Sequence, residues 1–169
     1  MPELPEVETI RRQLEPLIVG KTISFVEVFN QNSFKARKKD LIGDKVVGVG
    51  RKGKVIILSL KRPGLAKQGQ ALYVHLKMSG QLRYRYFKIS ISSPLDNRHL
   101  RVAIKFSNGD CLEFHDQRKF GWITDDPTVL PRGIDALDPE LSSNKLAEIV
   151  GSSSRPIKQI LLDQSKIAG

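Results

Sequence analysis

The sequence is poor in the residues that build metal sites and disulfide frameworks. Among its 169 residues there is one cysteine, Cys111, which excludes an internal disulfide and a zinc site made of several cysteines. The three histidines are scattered and do not show the spacing of metal ligands. We therefore expect this chain to hold no metal ion and no cofactor.

Long apolar runs are also missing. No segment approaches the roughly 20 apolar residues that a membrane-spanning helix needs. Acids and arginines interrupt the N-terminal segment too early for a secretory signal peptide. These absences predict a soluble, cytoplasmic protein without a membrane partner.

Acidic residues are scarce relative to basic ones. The chain has 18 aspartates and glutamates against 28 lysines and arginines, which gives a formal net charge of +10 and a pI of about 9.9. Such an excess indicates an anionic partner, with nucleic acid as the first candidate and an anionic membrane surface as the second. The hydrophobic share of 40% is compatible with one sizeable core.

Short runs rich in β-branched and aromatic residues fill the middle of the chain and predict strands. They cover residues 21–29, 44–50, 54–60, 70–78, 81–89, 99–106, 111–116 and 121–124. Asn108-Gly109 favours a hairpin between two of them. Because no helical pattern separates these runs, the sequence predicts a sandwich or a barrel.

Helices are predicted only towards the two ends. The first begins near Pro5, presents Val7 and Leu14 on one apolar face, and ends before Gly20. Two more are predicted over 144–150 and 157–168. The fold class is therefore α+β and mainly β, a β-sandwich with an N-terminal helix and C-terminal helices. The last helix has nothing after it to pack on, which predicts a truncation or a split gene.

Pro2 and Glu3 precede the first helix and are not needed to start it. If Met1 is removed, Pro2 carries a free secondary amine, and a nearby helix N-terminus disfavours its charged form. A neutral amine attacks an electrophilic carbon and forms an iminium, while Glu3 supplies or removes a proton. The alternative from composition is a disordered tip without function.

Three loops carry further candidates for chemistry or binding. Lys54, in the basic stretch GRKGKV, either points inward at a phosphate or a reacting sugar or belongs to a solvated turn. Met78 lies at a turn in HLKMSG, where methionine is usually core filler. In DQRKFG, Arg118 and Phe120 suit stacking on an unpaired base or, equally, a salt bridge and a packed ring.

Together and in this order, the fragments MPELPEVET, RKGK, HLKMSG, DQRKFG and RPIKQILLDQ resemble the formamidopyrimidine-DNA glycosylase family. The similarity extends over essentially the whole chain, and PELPEVE is its most specific motif. Leu4 favours this branch over the related endonuclease VIII group, which prefers oxidised pyrimidines and usually has glycine at that position.

The resemblance implies a DNA repair enzyme that acts as glycosylase and abasic-site lyase on oxidised purines such as 8-oxoguanine and formamidopyrimidines. Pro2 would be the nucleophile that forms the Schiff base, Glu3 the general acid and base, and Lys54 the residue that assists strand cleavage by elimination and holds a phosphate. Met78, Arg118 and Phe120 would fill the gap left by a flipped nucleotide, with Arg118 facing the orphaned cytosine. Backbone phosphates would be contacted by His99, His75 and Lys158.

The chain also departs from the family pattern. Members continue into a helix–two-turns–helix element and a four-cysteine zinc finger, and neither follows Gly169 here. Ser153 lies where many relatives carry lysine. We therefore expect residues 1–135 to form the N-terminal catalytic β-sandwich domain and 136–169 to form a linker and the start of a truncated helical DNA-binding domain.

The expected partner is damaged double-stranded DNA, bound by a monomer or by a chain whose missing C-terminal half is supplied separately. Two other functions remain open at this point. A remnant or split half would grip DNA through its positive surface without efficient turnover. An RNA-associated β-protein would explain the charge but leave Pro2 and Glu3 without a role.

Overall fold

Two four-stranded antiparallel sheets account for most of the chain. The structure is a computed structural model that describes residues 1–64, 69–87 and 97–169. The strands are β1 (Ile23–Val28), β2 (Lys45–Lys52), β3 (Val55–Lys61), β4 (Gln70–His75), β5 (Gly80–Arg85), β6 (Leu100–Phe106), β7 (Cys111–Asp116), β8 (Trp122–Thr124), β9 (Ile134–Asp135) and β10 (Ile167–Ala168). The helices are α1 (Leu4–Ile18), α2 (Lys38–Leu41), α3 (Ser143–Gly151) and α4 (Ile157–Leu161).

The sheets have the strand orders β1-β6-β7-β5 and β2-β3-β4-β8, and a small parallel pair joins β9 to β10. Alternate residues of both four-stranded sheets, such as Leu60 and Phe114, meet in one buried cluster. Helix α1 adds Val7, Leu14 and Ile18 to that cluster, as its apolar periodicity predicts. The predicted fold class, a β-sandwich with an N-terminal helix and C-terminal helices, is confirmed.

Sequence periodicity placed several element ends wrongly. The strand predicted over 70–78 ends at His75, because the chain turns at Lys77, which has a left-handed φ of 52°. The Gly80 N–H closes this turn on the Leu76 carbonyl at 2.9 Å. The strand predicted over 81–89 is described as far as Arg85, and its residues 88 and 89 lie outside the described part of the chain.

The helix predicted over 157–168 is wrong in its second half. Helix α4 ends at Leu161, and the Asp163 carboxylate accepts the Ser165 N–H at 3.0 Å, which forms a turn instead of another helical residue. Ile167 and Ala168 then pair with Ile134 and Asp135 and become buried. The apolar residues of this segment therefore serve a strand. The pairing of β9 with β10 links the two predicted domains, residues 1–135 and 136–169. The domain boundary between residues 135 and 136 stays a prediction.

Within the described ranges, no helix is long and apolar enough to cross a membrane. The longest helix described, α1, carries charged residues along its exposed side, among them Arg12 and Glu15. This agrees with the absence of long apolar runs in the sequence.

Candidate active site

Glu3 and Lys54 meet at one end of the second sheet. The Lys54 Nζ lies 2.6 Å from a Glu3 carboxylate oxygen. Glu3 is the cap residue before α1, and its carbonyl accepts the Val7 N–H at 3.0 Å. Lys54 follows Gly53 in the turn between β2 and β3. The N-terminus of α1 and this hairpin turn therefore bring an acid and a cation into direct contact.

Pro2 joins Glu3 to Met1, and Met1 lines a cavity of about 420 Å³. The cavity is lined by Met1, Lys54, Val55, His75, Lys77, Trp122, Val129, Pro131 and Gln164. Two of these residues, Met1 and Lys54, are direct neighbours of the N-terminal candidates, because Met1 is bonded to Pro2 and Lys54 contacts Glu3. The catalytic roles of Pro2, Glu3 and Lys54 stay predictions.

A network of buried charges fixes the hairpin turn that carries Lys54. The Arg51 guanidinium, which is 6% exposed, donates two hydrogen bonds to Asp135, at 2.6 and 2.9 Å, and one to Glu8 at 3.0 Å. The Gly53 N–H donates to Asp135 at 2.6 Å, and Arg51 donates to the Gly53 carbonyl at 2.8 Å. Arg51 thereby ties α1, the turn and β9 together. Hydrogen bonds, the strongest from Arg11, lower the pKa of Glu8 to about 2.

Gly53 suits this turn for two reasons. Its φ of 55° lies in the left-handed region, and a Cβ at this position would come within 3.0 Å of Pro131 and 3.5 Å of the Ala168 side chain. The turn therefore packs directly against the segments that form β9 and β10. The C-terminal residues help to position Lys54.

His75 forms part of the cavity wall as a neutral ring. Burial, together with the nearby cations of Lys77 and Lys54, lowers the pKa of His75 to about 4. The Lys77 N–H donates to His75 Nδ1 at 3.0 Å, so the ring proton of the neutral form is on Nε2. The ring lies 5.5 Å from that of Trp122. At neutral pH His75 is a hydrogen-bond donor without charge.

The three residues predicted to fill the gap in the duplex lie on two joined loops. Met78 is 45% exposed, and Phe120 is 60% exposed. The Arg118 guanidinium lies 5.7 Å from the centre of the Phe120 ring, and the Arg118 N–H donates to the Ser79 hydroxyl at 3.0 Å. Two loops distant in sequence therefore meet, with their large side chains exposed next to the strands that line the cavity.

The two remaining candidates, His99 and Lys158, are not among the residues that line the cavity. His99 precedes β6, and its carbonyl accepts the Asp116 N–H at 2.8 Å at the base of the loop that carries Arg118. Lys158 is exposed on α4. Within the described ranges, its side chain has no hydrogen bond or ion pair with the other candidates. Their contacts with phosphate stay predictions.

Several residues of the site carried no clear signal in the sequence. Trp122, Lys77 and Gln164 line the cavity, and Arg51 and Asp116 organise the loops around it. Trp122 was visible only as part of a short strand, and nothing in the local pattern separates Gln164 from other polar residues. Among the described residues, no group of histidine, cysteine, aspartate or glutamate could hold a metal ion.

The chain is similar along its whole length to known proteins. The chain is 39% identical to the formamidopyrimidine-DNA glycosylase of Geobacillus kaustophilus and 35% identical to that of Mycolicibacterium smegmatis. Both alignments cover 100% of this chain, but only 62% and 61% of the relatives. The chain thus spans somewhat less than two thirds of the length of these curated relatives.

Solved structures show the same fold. The Lactococcus lactis formamidopyrimidine-DNA glycosylase, bound non-covalently to DNA containing an abasic site, superposes with a TM-score of 0.79 at 29% identity, covering 99% of this chain and 65% of that one. A second complex of the L. lactis protein with abasic-site DNA also gives 0.79, at 30% identity. Residues 1–123 match the family described as the formamidopyrimidine-DNA glycosylase N-terminal domain. The chain therefore belongs to the formamidopyrimidine-DNA glycosylase family.

Proposed function

We propose that this protein excises oxidised purines from duplex DNA and then cleaves the strand at the resulting abasic site. The observation that carries the proposal is the contact of Glu3 with Lys54 beside Pro2, at the N-terminus of α1 and the edge of a cavity. A nucleophilic amine, a proton-transfer group and a cation within reach of one substrate position are what iminium chemistry requires. The substrates named for the relatives support the same assignment.

The reaction begins at the Pro2 nitrogen, which is free once Met1 has been removed. The lone pair of this nitrogen forms a bond to the anomeric carbon of the deoxyribose, and the glycosidic bond breaks. The electron pair of the broken bond leaves with the base, which takes up the proton that the Pro2 nitrogen loses. Glu3 then donates a proton to the ring oxygen as the sugar opens, which leaves an iminium between Pro2 and the sugar. The helix N-terminus favours the neutral amine that this attack needs.

Strand cleavage follows by elimination from the iminium. The Glu3 carboxylate, which gave up its proton in the preceding step, takes a proton from the carbon next to the iminium carbon. The electron pair of that C–H bond forms a carbon–carbon double bond as the bond between the 3′ carbon and its phosphate oxygen breaks. Lys54 binds the phosphate that departs, a role supported by its contact with Glu3 and its position in the cavity wall. Water then releases the sugar product and regenerates the amine.

The exposed side chains of Met78, Arg118 and Phe120 give the protein a means of entering the duplex. An aromatic ring and a methionine replace the stacking lost when a nucleotide leaves the helix, while Arg118 meets the unpaired cytosine. His75 and His99 donate hydrogen bonds to phosphates of the DNA backbone, and Lys158 contributes a positive charge near these phosphates. The partner is damaged double-stranded DNA, bound in the cytoplasm by a monomer.

Borohydride trapping tests this function. The 169-residue protein is incubated with a duplex carrying an abasic site, reduced, and resolved by denaturing electrophoresis. We expect a covalent adduct that Pro2→Gly weakens and a blocked N-terminus abolishes. If no adduct forms although mass spectrometry shows that Met1 has been removed, the protein is a DNA-binding member of the family without catalytic activity.

A further inference from the structure

Asp116 is a buried carboxylate that the proposed reaction does not use. It ends β7, is 1% exposed, and forms hydrogen bonds with both of the loops that carry the duplex-entering side chains. One of its oxygens accepts the Ser79 hydroxyl at 2.5 Å and the Arg118 N–H at 3.2 Å. The other accepts the Gly121 N–H at 2.7 Å. Both oxygens are therefore occupied as acceptors.

The backbone of Asp116 reaches a third candidate segment. Its N–H donates to the His99 carbonyl at 2.8 Å, and its carbonyl accepts from Arg101 Nε at 2.7 Å. One residue thus connects the loop of Met78, the loop of Arg118 and the approach to β6. These are three separate parts of the chain in which the sequence predicts contacts with DNA.

Both loops need to be held, because each contains a non-glycine residue in the left-handed region. Lys77 has φ 52° and Lys119 has φ 60°, conformations that a residue with a Cβ adopts only at a cost. Space at the loop bases is also tight. A Cβ on Gly121 would come within 2.6 Å of the Phe114 ring and 3.2 Å of the Asp116 carboxylate. The carboxylate therefore holds the second loop at a close approach to the sandwich.

We propose that Asp116 and Ser79 are positioning residues that join the two loops into one rigid unit, and that they set the preference for the base opposite the lesion by fixing Arg118. The proposal rests on the proposed function, because it assumes that Arg118 meets that base. Neither residue acts in the bond-breaking steps. Their removal is expected to change which base is preferred and to leave the Pro2 chemistry intact.

Two variants break this connection to different degrees. Asp116→Asn places an amide N–H₂ against a hydrogen-bond donor in either orientation, because both carboxylate oxygens accept hydrogen bonds. Ser79→Ala removes only the two hydrogen bonds of the Ser79 hydroxyl, one donated to Asp116 and one accepted from the Arg118 N–H. Asp126→Asn is the matched control, since Asp126 is exposed and its carboxylate accepts the Thr128 N–H at 2.9 Å in a neighbouring turn. Arg118→Ala is the reference for complete loss of the preference for cytosine opposite the lesion.

The measurement is the ratio of dissociation constants, at low salt, for a duplex with a stable abasic-site analogue opposite cytosine or opposite adenine. We expect Asp116→Asn and Ser79→Ala to reduce the preference for cytosine from the wild-type value towards the value of Arg118→Ala. For Asp116→Asn the reduction should be about fivefold or more, which is the discrimination that a good base-edge contact provides. Asp126→Asn should retain the wild-type ratio. Borohydride trapping on a natural abasic site should stay within about threefold of wild type in Asp116→Asn, Ser79→Ala and Asp126→Asn, since their Pro2 site is intact.

The outcomes separate this proposal from the proposed function. A wild-type protein that forms no trapped adduct refutes the function. If the wild-type protein forms the adduct but binds both duplexes equally well, the positioning role is overturned. It is also overturned if Asp116→Asn and Ser79→Ala keep the preference for cytosine while Arg118→Ala loses it. Thermal unfolding is recorded for each variant, and if Asp116→Asn does not fold, the ratio for Ser79→Ala alone decides.

Discussion

The Glu3 carboxylate and the Lys54 ammonium lie 2.6 Å apart, at the meeting point of the first helix and the β2–β3 turn. Half of the Glu3 side chain is exposed, whereas Lys54 is 19% exposed. An ion pair with one partner open to solvent contributes little to stability, so its importance is in bringing two functional groups to one point.

Substitutions of this pair should therefore affect chemistry far more than folding. We expect Glu3→Gln and Lys54→Met each to slow formation of the trapped adduct by roughly 10²-fold or more, the usual worth of a positioned proton-transfer group. The double variant should lose less than the product of the two effects, because the groups act together. Single-turnover trapping rates measure this, and full additivity would show that the two side chains act separately.

Arg51 should be essential to the fold around the site. Arg51→Ala leaves the carboxylates of Asp135 and Glu8 without their buried partner, which we expect to cost about 3–5 kcal/mol of unfolding free energy. Arg12→Ala is the matched control, because Arg12 also pairs with Glu8 but is 71% exposed, and its loss should cost less than about 1 kcal/mol. Urea denaturation of both variants measures the difference, and equal losses would contradict the role of Arg51.

His75 should make the protein less stable in mild acid. Its folded pKa of about 4 lies below the unfolded value of 6.5, so the unfolded chain binds the additional proton as the pH falls between these values. Stability that is fully present above pH 6.5 should therefore decrease towards pH 4, by up to about 3 kcal/mol. In His75→Gln the free energy of unfolding should change less with pH between pH 7 and 5. Glu8, with a pKa of about 2, does not titrate in this range. An unchanged slope would show that the histidine is not held neutral.

Arg118 and Lys158 should affect DNA binding in different ways. We expect Arg118→Ala to weaken binding opposite cytosine by roughly 1–3 kcal/mol while binding opposite other bases changes less. Lys158→Ala should weaken binding equally for every opposite base and reduce the salt dependence by about one phosphate contact. Titrations at several salt concentrations distinguish the two. An equal loss on every base would make Arg118 a phosphate contact as well.

The sequence was informative where local chemistry and fold agree. Pro5 and the apolar residues Val7 and Leu14 predict α1, and alternation predicts most strands, because these features follow from local geometry and burial. The N-terminal motif led to Pro2 and Glu3 before any distance was known. Lys54 was found in a basic stretch that also fitted a solvated turn. Its side chain is 19% exposed and contacts Glu3, while its role towards a phosphate or a sugar stays a prediction.

Long-range relationships could not be read from local pattern. The pairing of β10 with β9 makes a strand out of residues that are spaced like a helix, because burial against Ile134 and Asp135 outweighs the intrinsic preference. The roles of Arg51 and Asp116 depend on partners distant in sequence. For the same reason the neutral ring of His75 in the cavity wall could not be predicted, and its contact with a phosphate stays a prediction.

The position of the trapped sugar tests the central claim most directly. After borohydride reduction with abasic DNA, nuclease digestion and proteolysis, mass spectrometry identifies the peptide that carries the reduced sugar. We predict that the added mass lies on the N-terminal peptide, which begins at Pro2, with the fragment ions placing it on the proline nitrogen. A modified Lys54 with an unmodified Pro2, or an adduct formed while Met1 is still attached, would contradict the account.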